Sequence, residues 1–208
     1  TSNRGWVNGL YGESEGMRFW DYWIGQSLEE PIKKVPKNRI AYIQKAFANL
    51  LDNRRPMITA YLGHAFCVDE LRNIFPGITF VYLKRDKLSN IYSLFKINSK
   101  MDWFSLKPAG WKYKKSLNAH EKTIWQYNKI IQSIENSIHK DDTLIVNYED
   151  VCLKPKEFLF NLREFVKNKG FDIKINLDKI SSSYEVSKIR SNQNDDTKYL
   201  NKLLENER

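Results

Sequence analysis

The sequence predicts an α/β domain built as a three-layer sandwich around a parallel sheet, and three observations carry that prediction. Short apolar runs alternate with amphipathic helical stretches along the 208 residues. Residues 78–83 (ITFVYL) are apolar without interruption, as expected of a strand buried on both faces of a parallel sheet. Each of the two clearest strand candidates is followed within a few residues by a helical pattern, which is the order that crossover connections require.

The elements follow in order. Residues 17–26 (MRFWDYWIGQ) and 38–52 carry apolar residues at helical spacing, the second through Ile40, Ile43, Phe47, Leu50 and Leu51. Residues 57–61 read as a short strand and 68–75 as a helix, and Pro76-Gly77 forms a turn that launches the 78–83 strand. Asp86 then stands as the N-cap of a helix whose Leu88, Ile91, Tyr92 and Phe95 make an i, i+3, i+4, i+7 stripe. Residues 99–115, with Pro108 and Gly110, read as a mobile stretch. A long helix over 117–138 follows, then a strand over 143–147. Pro155 opens a helix bearing Phe158, Leu159, Leu162, Phe165 and Val166.

A single domain over 1–208 suits this length. Its 41% hydrophobic residues are enough for a core and its 28% charged residues are ordinary, which excludes disorder. No run approaches the roughly 18 apolar residues of a membrane-spanning helix, so no stable membrane insertion is expected. The formal charge of +9 calls for anionic partners. Its basic residues are scattered, at Lys33-Lys34, Arg54-Arg55, Lys84-Arg85, 112–115 and 167–169. That pattern reads as a generally basic surface rather than the dense stripe of a nucleic-acid site, and charge alone does not choose among nucleic acid, a membrane surface and a nucleotide with several phosphates. Cys67 and Cys152 are far apart, with no CxxC spacing and no glycosylation sequon, which favours a reducing, cytoplasmic setting. The chain begins at Thr1 without Met, so an upstream segment is expected.

Arg85 sits where an apolar strand gives way to a helix, the place where parallel sheets bind anions. Seven residues after Asp86, two turns on, Ser93 returns to the same helical face and lies off the core stripe. A phosphate would fit between that hydroxyl and the planar donors of Arg85. The plainer reading pairs Arg85 with Asp86 and leaves Ser93 solvated.

Residues 80–94 (FVYLKRDKLSNIYSL) resemble the 3′-phosphate segment of sulfotransferases that use 3′-phosphoadenosine 5′-phosphosulfate (PAPS), where a helical Ser follows the strand-end Arg by eight residues. Arg85 and Ser93 match. Residues 144–166 (LIVNYEDVCLKPKEFLFNLREFV) resemble the family's strand, Tyr-Glu-Asp, Pro and amphipathic-helix block. This resemblance implies that Tyr148 contacts the adenine, while Glu149 and Asp150 are read as capping or bracing their own turn. Residues 182–188 (SSYEVSK) are similar to the family's Thr-Ser-Phe-x-x-Met-Lys segment, which would place Ser182 and Tyr184 beside the nucleotide. The family's Arg-Lys-Gly loop has no counterpart, and Lys188 or Arg190 would have to substitute.

Sulfuryl transfer needs a base for the acceptor's proton and cations for the leaving phosphate. Cytosolic sulfotransferases place a Lys-x-His base about as far before the phosphate Arg as His64 stands before Arg85, so His64 maps to it by resemblance. Leu62 replaces the Lys. Glu13 in LYGES is the alternative base. His120 and His139 read as solvated, and Phe19, Trp20, Tyr22 and Trp23 as core or acceptor-site wall.

Nothing in the chain matches the family's phosphosulfate loop or the Walker pattern, and residues 1–7 are at most a degenerate remnant; the loop is expected upstream of Thr1. The resemblance spans residues 10–188. It implies a P-loop nucleotide hydrolase-like sulfotransferase fold, with PAPS as cosubstrate, PAP as product, no metal, and a small-molecule, lipid or glycan hydroxyl or amine as acceptor. A non-catalytic PAP or anionic-ligand binding domain and another P-loop transferase, such as a small kinase, are the rivals.

Overall fold

The computed structural model describes residues 17–25, 28–30, 34–50, 57–101 and 106–206. The chain is mixed α/β with a parallel sheet, and it gathers into two compact units. The first comprises Thr1–Ile78, Ser105–Trp111 and Ile130–Ser137; the second comprises Thr79–Phe104, Lys112–Lys129 and Ile138–Arg208.

In the first unit, helices α1 (Met17–Trp23), α2 (Lys37–Leu50) and α3 (Val68–Ile74) enclose an aromatic core. Ile43 and Phe47, one turn apart on α2, are buried as their spacing predicts. Phe47 meets Phe19 and Phe75 edge to face, with ring centroids 4.9 and 4.6 Å apart. Gln44 on α2 donates to the Ile74 carbonyl at 2.7 Å, which ties α2 to the end of α3. Gly77, at φ 85°, makes the predicted turn, in a conformation that side chains rarely adopt. Residues 57–61 form no strand: Ile58 is exposed, and the chain passes directly into a 3₁₀ turn, Leu62–Phe66.

The expected mobile stretch also changes character. Lys107 pairs with Glu29 through its ammonium at 2.9 Å, and its backbone bonds to Leu28 and Glu30. Leu106 and Pro108 are buried, so apolar anchoring and these bonds outweigh the local turn signals. Residues 102–105 lie outside the described residues.

The second unit holds strands β1 (Phe80–Lys84) and β2 (Thr143–Asn147), paired in parallel from Phe80↔Thr143 to Lys84↔Asn147. Helix α4 (Lys87–Met101) follows β1, and α5 (Ala119–Asn136) begins in this unit. An Asn118–Glu121 capping box opens α5. Helices α6 (Tyr148–Leu153), α7 (Pro155–Lys167) and α8 (Asp195–Glu205) complete the unit. The predicted stripe of α4 does form the core: Ile91 and Phe95 pack with Ile124 and Leu200, flanked by Leu88 and Tyr92.

Burial of β1 on both faces is not what the structure has. Val81, Leu83 and Ile145 keep 47%, 50% and 48% of their surface exposed. Among the described residues the sheet has two strands, so each is an edge and alternate side chains lack a second layer. Helix α8 was not foreseen from the sequence, although Asn194 caps it reciprocally with Thr197, and Leu200, Leu203 and Leu204 have helical spacing.

The two faces of α4 should respond differently to truncation. Ile91→Ala, at a fully buried site, is expected to cost about 2–5 kcal/mol, and Ile97→Ala, on the exposed face, less than about 1 kcal/mol, in urea unfolding of the two variants. Equal losses would contradict the helix orientation.

Candidate functional site

The register of the two strands decides what meets at their carboxyl ends. Lys84 lies opposite Asn147, so the next residues, Arg85 and Tyr148, leave the sheet side by side. The Arg85 guanidinium carbon stands 5.0 Å from the centroid of the Tyr148 ring, a cation–π arrangement. One terminal nitrogen of Arg85 donates to the Ser187 carbonyl at 2.8 Å. Its Nε is buried and has no hydrogen-bond partner among the described residues. Such orphaned donors are rare because each costs its full desolvation.

Asp86 does not pair with Arg85. Its Oδ1 accepts from the Ser89 amide at 2.9 Å and the Ser89 hydroxyl at 2.6 Å, and it caps α4 as its position predicts. The Asp86 amide donates to Glu149 Oε1 at 3.1 Å. Glu149 therefore braces the end of the neighbouring strand rather than its own helix, while Asp150 Oδ2 accepts from the Asn147 side-chain Nδ2 at 2.9 Å.

The segment of residues 182–190 runs back to this place. Tyr184 donates its amide to Cys152 on α6 at 2.7 Å, Ser187 receives Arg85, and the Ile189 amide donates to Ser89 Oγ at 2.9 Å. All three sequence stretches that resemble the sulfotransferase nucleotide segments thus converge. Ser93 lies farther along α4, half-buried, eight residues past Arg85. Ser182 and the Tyr184 side chain are exposed, as are Lys188 and Arg190. The hydrogen bond with the Cys152 thiol, one turn along α6, raises the Tyr148 phenol above its ordinary value of 10.0, and the neighbouring Arg85 opposes this only in part. Tyr148 is therefore a neutral ring at physiological pH.

His64 belongs to the first unit, where it sits in the Leu62–Phe66 turn. Its Nε2 lies 3.0 Å from Thr59 Oγ1, and its ring meets those of Trp20 and Tyr61 edge to face at 4.7 and 5.6 Å. Burial lowers its pKa from 6.5 to about 4, so the imidazole is neutral near pH 7. Glu13 and residues 1–7 lie outside the described residues. His139 is exposed as expected, but His120 is not solvated. It stacks on Phe95 at 4.0 Å and pairs with Asp196 Oδ1 at 2.8 Å, because α8 covers the face of α5 that looked open in sequence.

Sequence reasoning passed over Ser89, Ser187 and the cross-strand partner of Glu149, which the sequence alone assigns to bracing its own turn. The Asp86-x-x-Ser89 spacing is a readable capping signal. The partners of Ser89 and Arg85 in the 182–190 segment are about a hundred residues away and leave no local trace.

The profile of the sulfotransferase family matches residues 16–170. Among solved structures, a sulfotransferase domain from the curacin biosynthetic pathway is similar at 15% identity and a TM-score of 0.45, over 78% of this chain and 68% of that one. No curated protein sequence matches the chain.

The burial of His64 makes a claim about acid stability. Its folded pKa lies below the unfolded value, so between about pH 6.5 and 4 the unfolded chain binds a proton that the native state refuses. The resulting stabilisation, about 3 kcal/mol, is complete above pH 6.5 and is lost as pH falls toward 4. Urea unfolding across this range should show a shallower pH dependence in His64→Asn than in the unsubstituted chain; identical slopes would rule out the buried neutral imidazole.

Proposed function

Since this chain belongs to the sulfotransferase family, we propose that it moves a sulfuryl group from PAPS to a hydroxyl or amine of an acceptor. The observation that carries this reading is the Arg85 guanidinium at the strand end, whose buried Nε has no partner among the described residues. A donor that costs desolvation free energy in the unliganded chain recovers it when an anion arrives. The residues present therefore fit a phosphate, with Arg85 and Ser93 holding the 3′-phosphate and the neutral Tyr148 ring offering a stacking surface to the adenine. Ser182 and Tyr184 lie on the segment tied to the same strand end, and we assign them to the nucleotide's outer face.

PAPS supplies a sulfuryl group already joined to a phosphate leaving group. The chain's own task is to orient that donor, to hold charge on the departing phosphate, and to accept the acceptor's proton. We assign the proton to the neutral imidazole of His64, with Glu13 as the alternative. A pKa near 4 leaves His64 correctly deprotonated but weakly basic, which limits the driving force for proton transfer. The acceptor is proposed to be a small molecule, lipid or glycan. A cytoplasmic setting is supported by two buried cysteines that are both free.

Calorimetry tests the nucleotide. Arg85→Ala should weaken PAP binding by about 2–4 kcal/mol and Ser93→Ala by about 1 kcal/mol, and ATP, which lacks the 3′-phosphate, should bind more weakly than PAP. Unchanged PAP affinity in a folded Arg85 variant would remove the central support.

The base is tested by rates. His64→Ala should lower turnover about 100-fold at unchanged PAP affinity, and the acidic limb of the unsubstituted enzyme's profile should fall near pH 4 rather than 6.5. Should Glu13→Gln abolish turnover while His64→Ala stays near the parent rate, the role passes to the carboxylate.

A further inference from the structure

Ser89 is completely buried, yet its hydroxyl is fully engaged. It donates to the Asp86 carboxylate at 2.6 Å and accepts from the Ile189 amide at 2.9 Å. One hydroxyl thus joins the cap of α4 to a segment a hundred residues later in the chain. That segment has no regular secondary structure between Ser182 and Arg190, so its path depends on the points where it is pinned.

It is pinned at three residues. The Tyr184 amide is held by the Cys152 carbonyl, and the Ser187 carbonyl receives Arg85. Ser89 holds Ile189, two residues past Ser187. Beyond it the next anchor is Asn194, whose side chain donates to the Tyr92 hydroxyl at 2.6 Å. Without the Ser89 bond, residues 185–193 would be tethered to the rest of the unit at their ends and at Ser187, which meets Arg85 and the Tyr148 phenol.

Arg85 depends on the segment in turn. Its side chain is located by the Tyr148 ring on one side and the Ser187 carbonyl on the other. The ring contact is weakly directional, whereas the carbonyl fixes which guanidinium nitrogen faces the protein. Two anchors stand next to that carbonyl: the Ile189 bond to Ser89, two residues on, and the Ser187 backbone bond to the Tyr148 phenol. We propose that Ser89 is a positioning residue: by clipping Ile189 it holds the Ser187 carbonyl across the strand end and so orients the Arg85 guanidinium for a ligand phosphate. This inference rests on the nucleotide reading above.

Amide hydrogen exchange of the unliganded chain and calorimetry with PAP and 5′-AMP test it together. In the unsubstituted chain the Ile189 amide and the buried Arg85 Nε–H should be protected. Ser89→Ala should raise exchange at both positions about tenfold or more and weaken PAP about tenfold. Affinity for 5′-AMP, which has no 3′-phosphate, should stay the same; a general loss of folding would weaken both ligands. Ile189→Pro removes the same bond from the irregular segment, leaves α4 untouched, and should reproduce the pattern even if Ser89→Ala folds poorly. Protection that survives both substitutions would overturn the clip, and so would loss of protection with PAP affinity unchanged. If the unsubstituted chain bound no PAP while Ser89→Ala still exposed Ile189, the nucleotide reading would fall and take the phosphate role of the clip with it.

Discussion

The in-register pairing of β1 and β2 is the constraint from which the candidate site follows. With Lys84 opposite Asn147, the chain must deliver Arg85 and Tyr148 to the same end of the sheet at neighbouring positions, and Asp86 and Glu149 one residue later. The cation–π contact and the bond from the Asp86 amide to Glu149 are both consequences of that alignment. A slip of one residue would turn alternate side chains to the opposite face and separate the guanidinium from the ring. Parallel pairing also directs the N-terminus of α4 toward the end where both residues emerge, adding the helix dipole to the positive character of Arg85.

Around this end the polar groups are arranged in an uneven way. Asp86, Ser89, Glu149 and the backbone of 184–189 satisfy one another, so the framework is closed. Arg85 alone keeps a buried donor without a partner among the described residues. Hydrogen-bonded surroundings with one unpaired guanidinium nitrogen suit a preorganised anion site, because little rearrangement is left to oppose binding. The family membership and this arrangement together support the proposal of a phosphate-bearing ligand at this point.

The first unit uses a different device. There, aromatic rings surround His64 and withdraw it from water, so the imidazole is neutral through desolvation and not through a charged neighbour. Its Thr59 contact fixes the ring without supplying charge. A histidine with these neighbours stays neutral at the expense of basicity, and acid conditions therefore act on the stability of the unit.

Much of this was readable in the linear chain wherever the signal is local. The amphipathic spacing of Ile43 and Phe47, the α4 stripe, the Asp86 cap, Pro155 at the start of α7 and the apolar runs of both strands depend on residues within a few positions of one another. The strand-end position of Arg85 and its spacing to Ser93 belong to the same class. Other features depended on contacts that no short window contains. The burial of His120 requires α8, and the anchoring of residues 106–108 requires Glu29 and Glu30. The half-exposed faces of Val81 and Leu83 reflect what lies over the sheet and not the strand itself. By itself the sequence determined β1, β2, most of the helices and the residue types available at their ends, but neither α8 nor the absence of a strand over 57–61. Only the tertiary structure decided that Arg85 rests on Tyr148 and bonds to Ser187 while Ser89 bonds to Ile189, because hydrogen bonds between residues about a hundred positions apart have no periodicity to betray them.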